Sequence, residues 1–177
     1  MRFLTLLVSL LLTASSYAQV KQLIERGDSY FTKGLFKDAL KEYKTAAKSR
    51  DSRLVNFKIG MCEMNLRNYE NAVRQFSACI KKDKKDTLSQ YYRASARLYL
   101  KQPKSAIDDI NSLLNITPTW SQAYYLRGMC HEELNDFEMA ARDYDKTVEL
   151  DPKNGDALID RGLIKTKLND NSGAITD

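Results

Sequence analysis

The sequence has little of the chemistry on which enzymes and metal sites depend. Its 177 residues include one histidine and three cysteines, and no two cysteines have the C-x-x-C spacing of zinc and redox sites. No serine, cysteine or carboxylate accompanies His131 in a catalytic motif. Glycine-rich loops, strand-like alternation and low-complexity tracts are also missing. We therefore predict no enzymatic activity, no cofactor and no metal.

What the chain does contain is an internal repeat of about 34 residues. Arginine recurs at this interval at positions 93, 127 and 161, and leucine and alanine recur elsewhere in the period. A fixed period of this length is typical of helical repeat proteins. The predicted copies are residues 20–52, 53–86, 87–120 and 121–154, followed by an incomplete copy at 155–177.

Each copy is predicted to form two helices joined by a short turn. In the fourth copy we expect helices at 121–134 and 137–150, because Asn135 and Asp136 favour a turn and Asp136 can cap the second helix. Pro152 ends the second helix, since proline has no amide hydrogen and disfavours helical geometry in the residue before it.

Four residues of the fourth copy form a signature: Gly128, Ala140, Tyr144 and Pro152. On these residues the chain resembles the tetratricopeptide repeat (TPR) family. Arg127 and His131 depart from the pattern, since the family often has leucine and tyrosine at these places. The resemblance implies an all-α fold, a right-handed superhelical solenoid of helix-turn-helix repeats, with four complete repeats and a truncated fifth. It also makes His131 a packed residue at the edge of the core.

Residues 1–18 precede the repeats and resemble a secretory signal peptide. Arg2 is followed by a mostly apolar stretch of about ten residues, too short to span a bilayer. Residues 16–18, Ser-Tyr-Ala, resemble a cleavage site. An uncleaved anchor or a buried helix is the alternative. We expect a mature chain that begins at Gln19 and is exported to the periplasm or cell envelope.

The fifth copy stops soon after its second helix should begin. One turn of helix cannot cover the apolar face of the preceding helix, and repeat arrays need a polar terminal cap. We expect the natural chain to continue beyond Asp177. A contact of this end with a partner is the alternative, and self-association through the uncapped end is a third interpretation.

Charged residues are scattered along the chain, which carries a net charge of +5. The one basic run, residues 81–85, could contact phosphate or an anionic lipid. A solvated helix end is favoured, since cations are stabilising near a helix C-terminus. Asp108-Asp109 and Glu132-Glu133 are expected to be surface pairs. We predict no nucleic-acid partner, and membrane association only through an envelope partner.

The cysteines allow two interpretations. Cys62 and Cys130 lie at equivalent places on first helices, and Cys79 lies where the first copy has a small alanine. Three buried, reduced thiols are favoured. A Cys62–Cys79 disulfide within one repeat is the alternative for an exported chain.

Residues at equivalent places on successive first helices are predicted to line a groove. The resemblance implies that first helices form the inner, concave wall, where two rows rich in aromatic residues and methionine would suit an apolar or amphipathic segment. Packing between repeats is the alternative for some of these side chains. The predicted partner-binding residues are Ile24, Phe57, Met61, Tyr91, Tyr125, Met129, Ile159 and Leu163.

The nature of the partner follows only in part. Some TPR proteins hold the carboxylate end of chaperone tails with a lysine–asparagine clamp, but Ile24 and Asp28 occupy the corresponding places here. We therefore do not expect that partner. The sequence favours a non-enzymatic scaffold that binds a protein or peptide. The alternative is the N-terminal recognition arm of a larger enzyme or signalling protein whose remaining domain lies beyond residue 177.

Overall fold

The computed structural model describes residues 2–49 and 52–168, with side chains described for 17–48 and 52–168. All regular secondary structure in these ranges is helical. The second helix predicted for the fifth copy falls outside the described residues. The helices are α1 (Arg2–Thr32), α2 (Phe36–Ser49), α3 (Arg53–Asn65), α4 (Tyr69–Lys82), α5 (Thr87–Tyr99), α6 (Pro103–Leu114), α7 (Ser121–Glu133), α8 (Phe137–Leu150) and α9 (Gly155–Lys167).

The helix pair predicted for the fourth copy is confirmed, with α7 ending one residue early. Leu134 caps α7, and its amide donates to backbone oxygens of the last turn. The Asp136 side chain accepts a hydrogen bond from the amide of Met139, 3.3 Å away, and so caps α8.

Every turn between the helices of a complete pair contains one residue in the left-handed region. The amide that follows it bonds back across the turn, as from Asn68 to the Glu63 carbonyl at 2.8 Å, which ends the first helix and reverses the chain. Only the first of these turns uses glycine, the residue that adopts this conformation without steric cost. The four residues and their φ angles are Gly34 (74°), Arg67 (59°), Lys101 (57°) and Asn135 (59°).

Paired helices approach closely where a glycine faces an aromatic ring. A Cβ placed on Gly128 would lie 2.6 Å from Cε1 of Tyr144, so only glycine fits the present geometry. Gly27 meets Tyr43 and Gly60 meets Phe76 in the same way. The third copy has Ala94 and Ile110 at these places, both fully buried.

The contacts between residues divide the chain into two compact units. Unit 1 is Met1–Lys82 and unit 2 is Asp83–Asp177. The core of unit 1 includes Tyr43, Val55 and Ile59. Unit 2 has one core cluster around Ile110, Leu113 and Leu126, and a second of Ala140, Tyr144 and Ile164.

Helix α1 contains residues 2–18 of the predicted signal peptide, and helix α9 is the first helix of the incomplete fifth copy. Helix α1 is continuous across the predicted cleavage position after Ala18. Among residues 2–49 and 52–168, the structure has no helix with the length and apolar character needed to span a bilayer. On α9, Ile164 is fully buried in the cluster that contains Tyr144, and Leu168 packs against that cluster.

Candidate partner-binding site

A groove of about 880 Å³ lies on unit 2, between side chains of α5, α7 and α9. Three predicted site residues line it together: Tyr91 from α5, and Tyr125 and Met129 from α7. Met129 is 37% exposed, so it presents an accessible apolar surface inside the groove. The structure thus brings these three residues to one concavity, as expected for equivalent positions on successive first helices.

The two tyrosines are held in place by different contacts. The Tyr91 ring stacks on Trp120, with centroids 5.0 Å apart, and meets Tyr92 edge-on. The Tyr125 hydroxyl donates to Oδ2 of Asp160 on α9, 2.7 Å away. Burial, and then this hydrogen bond, raise the pKa of Tyr125. Because it stays protonated at neutral pH, the hydroxyl remains a donor fixed to α9.

Two ion pairs at the groove were not predicted. Lys167 of α9 donates to Glu132 of α7 at 2.8 Å. Lys101, in the turn after α5, contacts both carboxylate oxygens of Glu133 at 2.9 Å. All four side chains line the groove, so the aromatic and Met surface lies beside bound charges and polar groups. The groove is therefore amphipathic, and it is more polar than the predicted groove residues alone indicate.

Ile159 and Leu163, the two predicted residues on α9, do not line this groove. They are 63% and 57% exposed. The contributions of α9 to the groove are Asp160 and Lys167. A role for Ile159 and Leu163 in partner binding stays a prediction.

Unit 1 carries a separate pocket of about 500 Å³. Two predicted residues, Phe57 and Met61, line it, together with Phe31 and Leu54. The Phe57 ring packs on Phe76, with centroids 5.7 Å apart, so this aromatic wall is anchored in the core.

One carboxylate organises the polar side of the unit 1 pocket. Oδ1 of Asp28 accepts hydrogen bonds from the Tyr43 hydroxyl at 2.5 Å and from Nζ of Lys58 at 2.6 Å. Asp28 lies where some TPR proteins have a clamp asparagine, and in the structure its partners come from α2 and α3. The remaining predicted residue, Ile24, is partly buried against the core of unit 1 and does not line the pocket.

Two of the three recurring arginines form buried ion pairs within the complete repeats of unit 2, whereas Arg161 binds the exposed Asp145 of the preceding repeat. Arg127 makes two hydrogen bonds to Asp143, at 2.9 and 2.7 Å. These hydrogen bonds raise the pKa of Arg127 despite its partial burial. Arg93 binds Asp109 in the same two-point way. Each pair ties a first helix to its second helix and fixes the wall that carries the groove residues.

The expectation that Asp108-Asp109 is a surface pair was wrong for Asp109. This residue is 5% exposed, and its carboxylate also binds Arg97 at 2.8 Å. The sequence contained a usable signal, because Asp109 follows Arg93 by 16 residues and Asp143 follows Arg127 by the same number. That spacing connects facing positions of the two helices in one repeat.

The three cysteines and His131 are the remaining side chains that could be reactive. All three cysteines are buried and free, as in the favoured interpretation. Burial raises the pKa of Cys62 and of Cys130 to about 12, so neither is a ready nucleophile at neutral pH. The side chain of His131 is 12% exposed, and its ring nitrogens lie 3.5 Å from Asp136 and 3.9 Å from Asp143.

Comparison with known proteins agrees with the paired helices. Two family models, both described as tetratricopeptide repeat, match residues 121–154 and 24–78. The chain therefore belongs to the TPR family, and its fold is an all-α TPR solenoid. Among solved structures, MamA 41-end from Desulfovibrio magneticus RS-1 superposes with a TM-score of 0.85 at 22% identity, over 89% of this chain and 90% of that one.

Other relatives share part of the chain. A "DnaJ homolog subfamily C member 7 homolog" of Dictyostelium discoideum is 35% identical over 58% of this chain and 19% of its own length. A "Serine/threonine-protein phosphatase T" of Trypanosoma brucei brucei is 31% identical over 56% of this chain and 21% of its own length. This chain thus spans about a fifth of these curated relatives. A TPR domain of RPAP3, solved "bound to HSP90 peptide SRMEEVD", is 26% identical, with a TM-score of 0.64 over 67% of this chain and 97% of that one.

Proposed function

We propose that this chain is a non-enzymatic scaffold of the cell envelope that binds a peptide or protein segment in the groove of unit 2. The carrying observation is the groove itself, in which Tyr91 is fixed by Trp120 and Tyr125 by Asp160. Side chains that are already ordered lose little entropy on binding. The RPAP3 domain solved with a peptide supports this type of ligand for a TPR fold.

The groove chemistry defines the segment that it would accept. Apolar side chains would contact Met129 and the tyrosine rings, and polar groups would meet the ion pairs made by Lys101 and Lys167. An amphipathic segment satisfies both surfaces.

A peptide library displayed on phage would test this assignment. Peptides selected on the whole chain should bind the Met129→Glu variant at least about tenfold more weakly, because a charge replaces a central apolar contact. Ile116→Glu is the matched control, since Ile116 is 44% exposed and lies outside the groove lining. Equal affinity for the wild-type chain and for Met129→Glu would overturn the groove assignment.

Partner capture should also fail when Tyr91 and Tyr125 are both replaced by alanine, with helicity retained by circular dichroism. Both rings pack against neighbours. The Met129→Glu variant therefore carries the test if the double variant does not fold.

The envelope location rests on the leader-like residues 1–18. N-terminal sequencing of chain isolated from an envelope fraction should give Gln19 as the first residue. Recovery of Met1 from that fraction would favour an uncleaved anchor, and recovery only from the cytosol would reject export.

A second candidate is a recognition arm of a larger enzyme. It is favoured by the relative named as a phosphatase, of which this chain spans 21%. Reading the natural coding frame past residue 177 separates the two: a single capping helix followed by a stop supports the scaffold, whereas a further domain supports the arm.

A further inference from the structure

Charge is distributed very unevenly between the two units. Residues 1–82 contain 15 basic and 7 acidic side chains, a net charge of +8, whereas residues 83–177 contain 13 basic and 16 acidic side chains, a net charge of −3. The net charge of +5 for the whole chain therefore hides a strongly basic unit 1.

The excess of positive charge includes a row of lysines on one face of α2. The row, which we call the lysine row, consists of Lys37, Lys41, Lys44 and Lys48, and all four are exposed. Their spacings of four, three and four residues place them on one side of a helix, over a length of roughly 16 Å. The opposite side of α2 is fixed in the core by Tyr43, which is 1% exposed.

Most of the lysine row has no carboxylate partner within the described residues. Lys44 binds Glu63 at 3.0 Å, although 55% of its side chain remains exposed. Lys37, Lys41 and Lys48 take part in no described ion pair. Asp38 is an exposed acid on α2 and lies in its first turn, where negative charge is stabilised by the helix itself.

The row is a property of the first repeat and not of the fold. In α8 the same four register positions hold three acids and one arginine, and two of these acids have cation partners, Asp145 with Arg161 and Glu149 with Lys146. An ordinary solvated helix face would mix charges in this way. The residues of α8 at the register of the lysine row are Glu138, Arg142, Asp145 and Glu149.

We propose that the lysine row docks the chain on an anionic lipid surface through the face of α2 opposite Tyr43, so that it meets the membrane directly and not only through an envelope partner as predicted from the sequence. Protein interfaces are depleted of lysine at their centres and are anchored by buried apolar or aromatic side chains. Helix α2 exposes no large apolar side chain among its described residues. Binding to a layer of laterally mobile anionic headgroups requires only accessible cations, and the lysine row supplies them.

Vesicle co-sedimentation tests the proposal with the full chain. Phosphatidylcholine vesicles containing one-third phosphatidylglycerol should bind the chain at low ionic strength, and 0.5 M salt should release it. Replacing Lys37, Lys41 and Lys48 together by glutamine should lower the partition coefficient roughly a hundredfold, since each lysine near an anionic surface contributes about fivefold. Lys44 is left in place because it binds Glu63.

The control variant removes three lysines from unit 2: Lys104→Gln, Lys146→Gln and Lys153→Gln. It loses the same net charge, and Lys104 has the register of Lys37, yet its partitioning should fall only a few-fold. Equal losses in the two variants would show that net charge alone acts and would overturn the proposal. Binding to duplex DNA or polyglutamate, but not to the anionic vesicles, would overturn it as well.

The lipid test and the peptide test are independent. The Met129→Glu variant should bind vesicles like the wild-type chain, and the variant lacking Lys37, Lys41 and Lys48 should bind selected peptides like the wild-type chain. Failure of one assignment therefore leaves the other in place.

Discussion

Unit 2 joins the two helices of a repeat with a buried ion pair at residues 16 apart. Asp109 and Asp143 have side-chain exposures of 6% and 4%, and each is held by two hydrogen bonds from the arginine 16 residues earlier. Two parallel bonds of this kind fix both distance and orientation.

Unit 1 fills the same register differently. Its first repeat has Arg26 and Glu42, which meet at 2.8 Å, but the Arg26 side chain is 55% exposed. Its second repeat has Ile59 and Gln75 at these places and so no ion pair. Contacts at the neighbouring register, Gly60 against Phe76 for example, remain.

The comparison shows that the helical hairpin does not require one particular contact between its helices. Close packing of a small residue against a large one recurs in both units, whereas the buried arginine–aspartate pair at a spacing of 16 residues belongs to unit 2. The arginines of the unit 2 pairs lie on α5 and α7, which carry groove residues, and each pair joins that helix to the second helix of its repeat. Substitutions at the two registers test how far this difference extends to stability.

The largest effect is expected from Asp109→Ala. The change leaves Arg93 and Arg97 without their shared carboxylate, and their side chains are only 17% and 21% exposed. Loss of one member of a buried pair costs about 3–5 kcal/mol of unfolding free energy. Urea denaturation followed by circular dichroism measures it.

Glu42→Ala is the matched change in unit 1. The Glu42 side chain is 18% exposed, but Arg26 is 55% exposed, so the arginine left behind is solvated and the expected loss is about 1 kcal/mol. Comparable losses for Asp109→Ala and Glu42→Ala would contradict the distinction between the units.

The next effect concerns the packing register that the units share. Gly128→Ala would place a methyl group 2.6 Å from the Tyr144 ring, and such overpacking costs about 1–3 kcal/mol. Combined with Tyr144→Ile, which copies the Ala94–Ile110 pair of the third repeat, Gly128→Ala should cost less than it does alone. Thermal unfolding of the two single variants and the double variant gives the coupling. Strict additivity would mean that the methyl group does not meet the ring.

The repeat period and the helix pairs were predictable because they depend on patterns that recur along the chain. Small residues recur at positions 27, 60, 94 and 128, where the first helix of each copy meets the second. Asn135 lies in the turn between the two helices of the fourth copy. Recurrence strengthens each local signal, and the fold class follows from it.

The polar half of the candidate site was not predictable in the same way. Asp28 binds side chains from two other helices, and Tyr125 binds Asp160, 35 residues away. Such bonds depend on side-chain reach across packed helices, which a periodic pattern does not encode. The equivalent places on successive first helices identified Tyr91, Tyr125 and Met129 as neighbours. They did not reveal the ion pairs of Lys101 and Lys167 beside these residues.

The smallest expected effect is the pH dependence that one buried acid gives to unit 1. Glu63, a buried acid of unit 1, is 2% exposed. Burial acts to raise its pKa, but hydrogen bonds from Asn68 and Lys44 outweigh burial, so the pKa of Glu63 lies below its ordinary value. A carboxyl group with a lowered pKa in the folded state stabilises the fold above its unfolded pKa, about 4.3 for glutamate. This stabilisation is lost as the pH falls further, through the folded pKa. Between pH 5 and pH 3, the urea midpoint of the wild-type chain should therefore fall more than that of Glu63→Gln, which has no carboxylate to titrate at this site. Parallel pH profiles for the two proteins would show that the bonds to Asn68 and Lys44 do not favour the charged form.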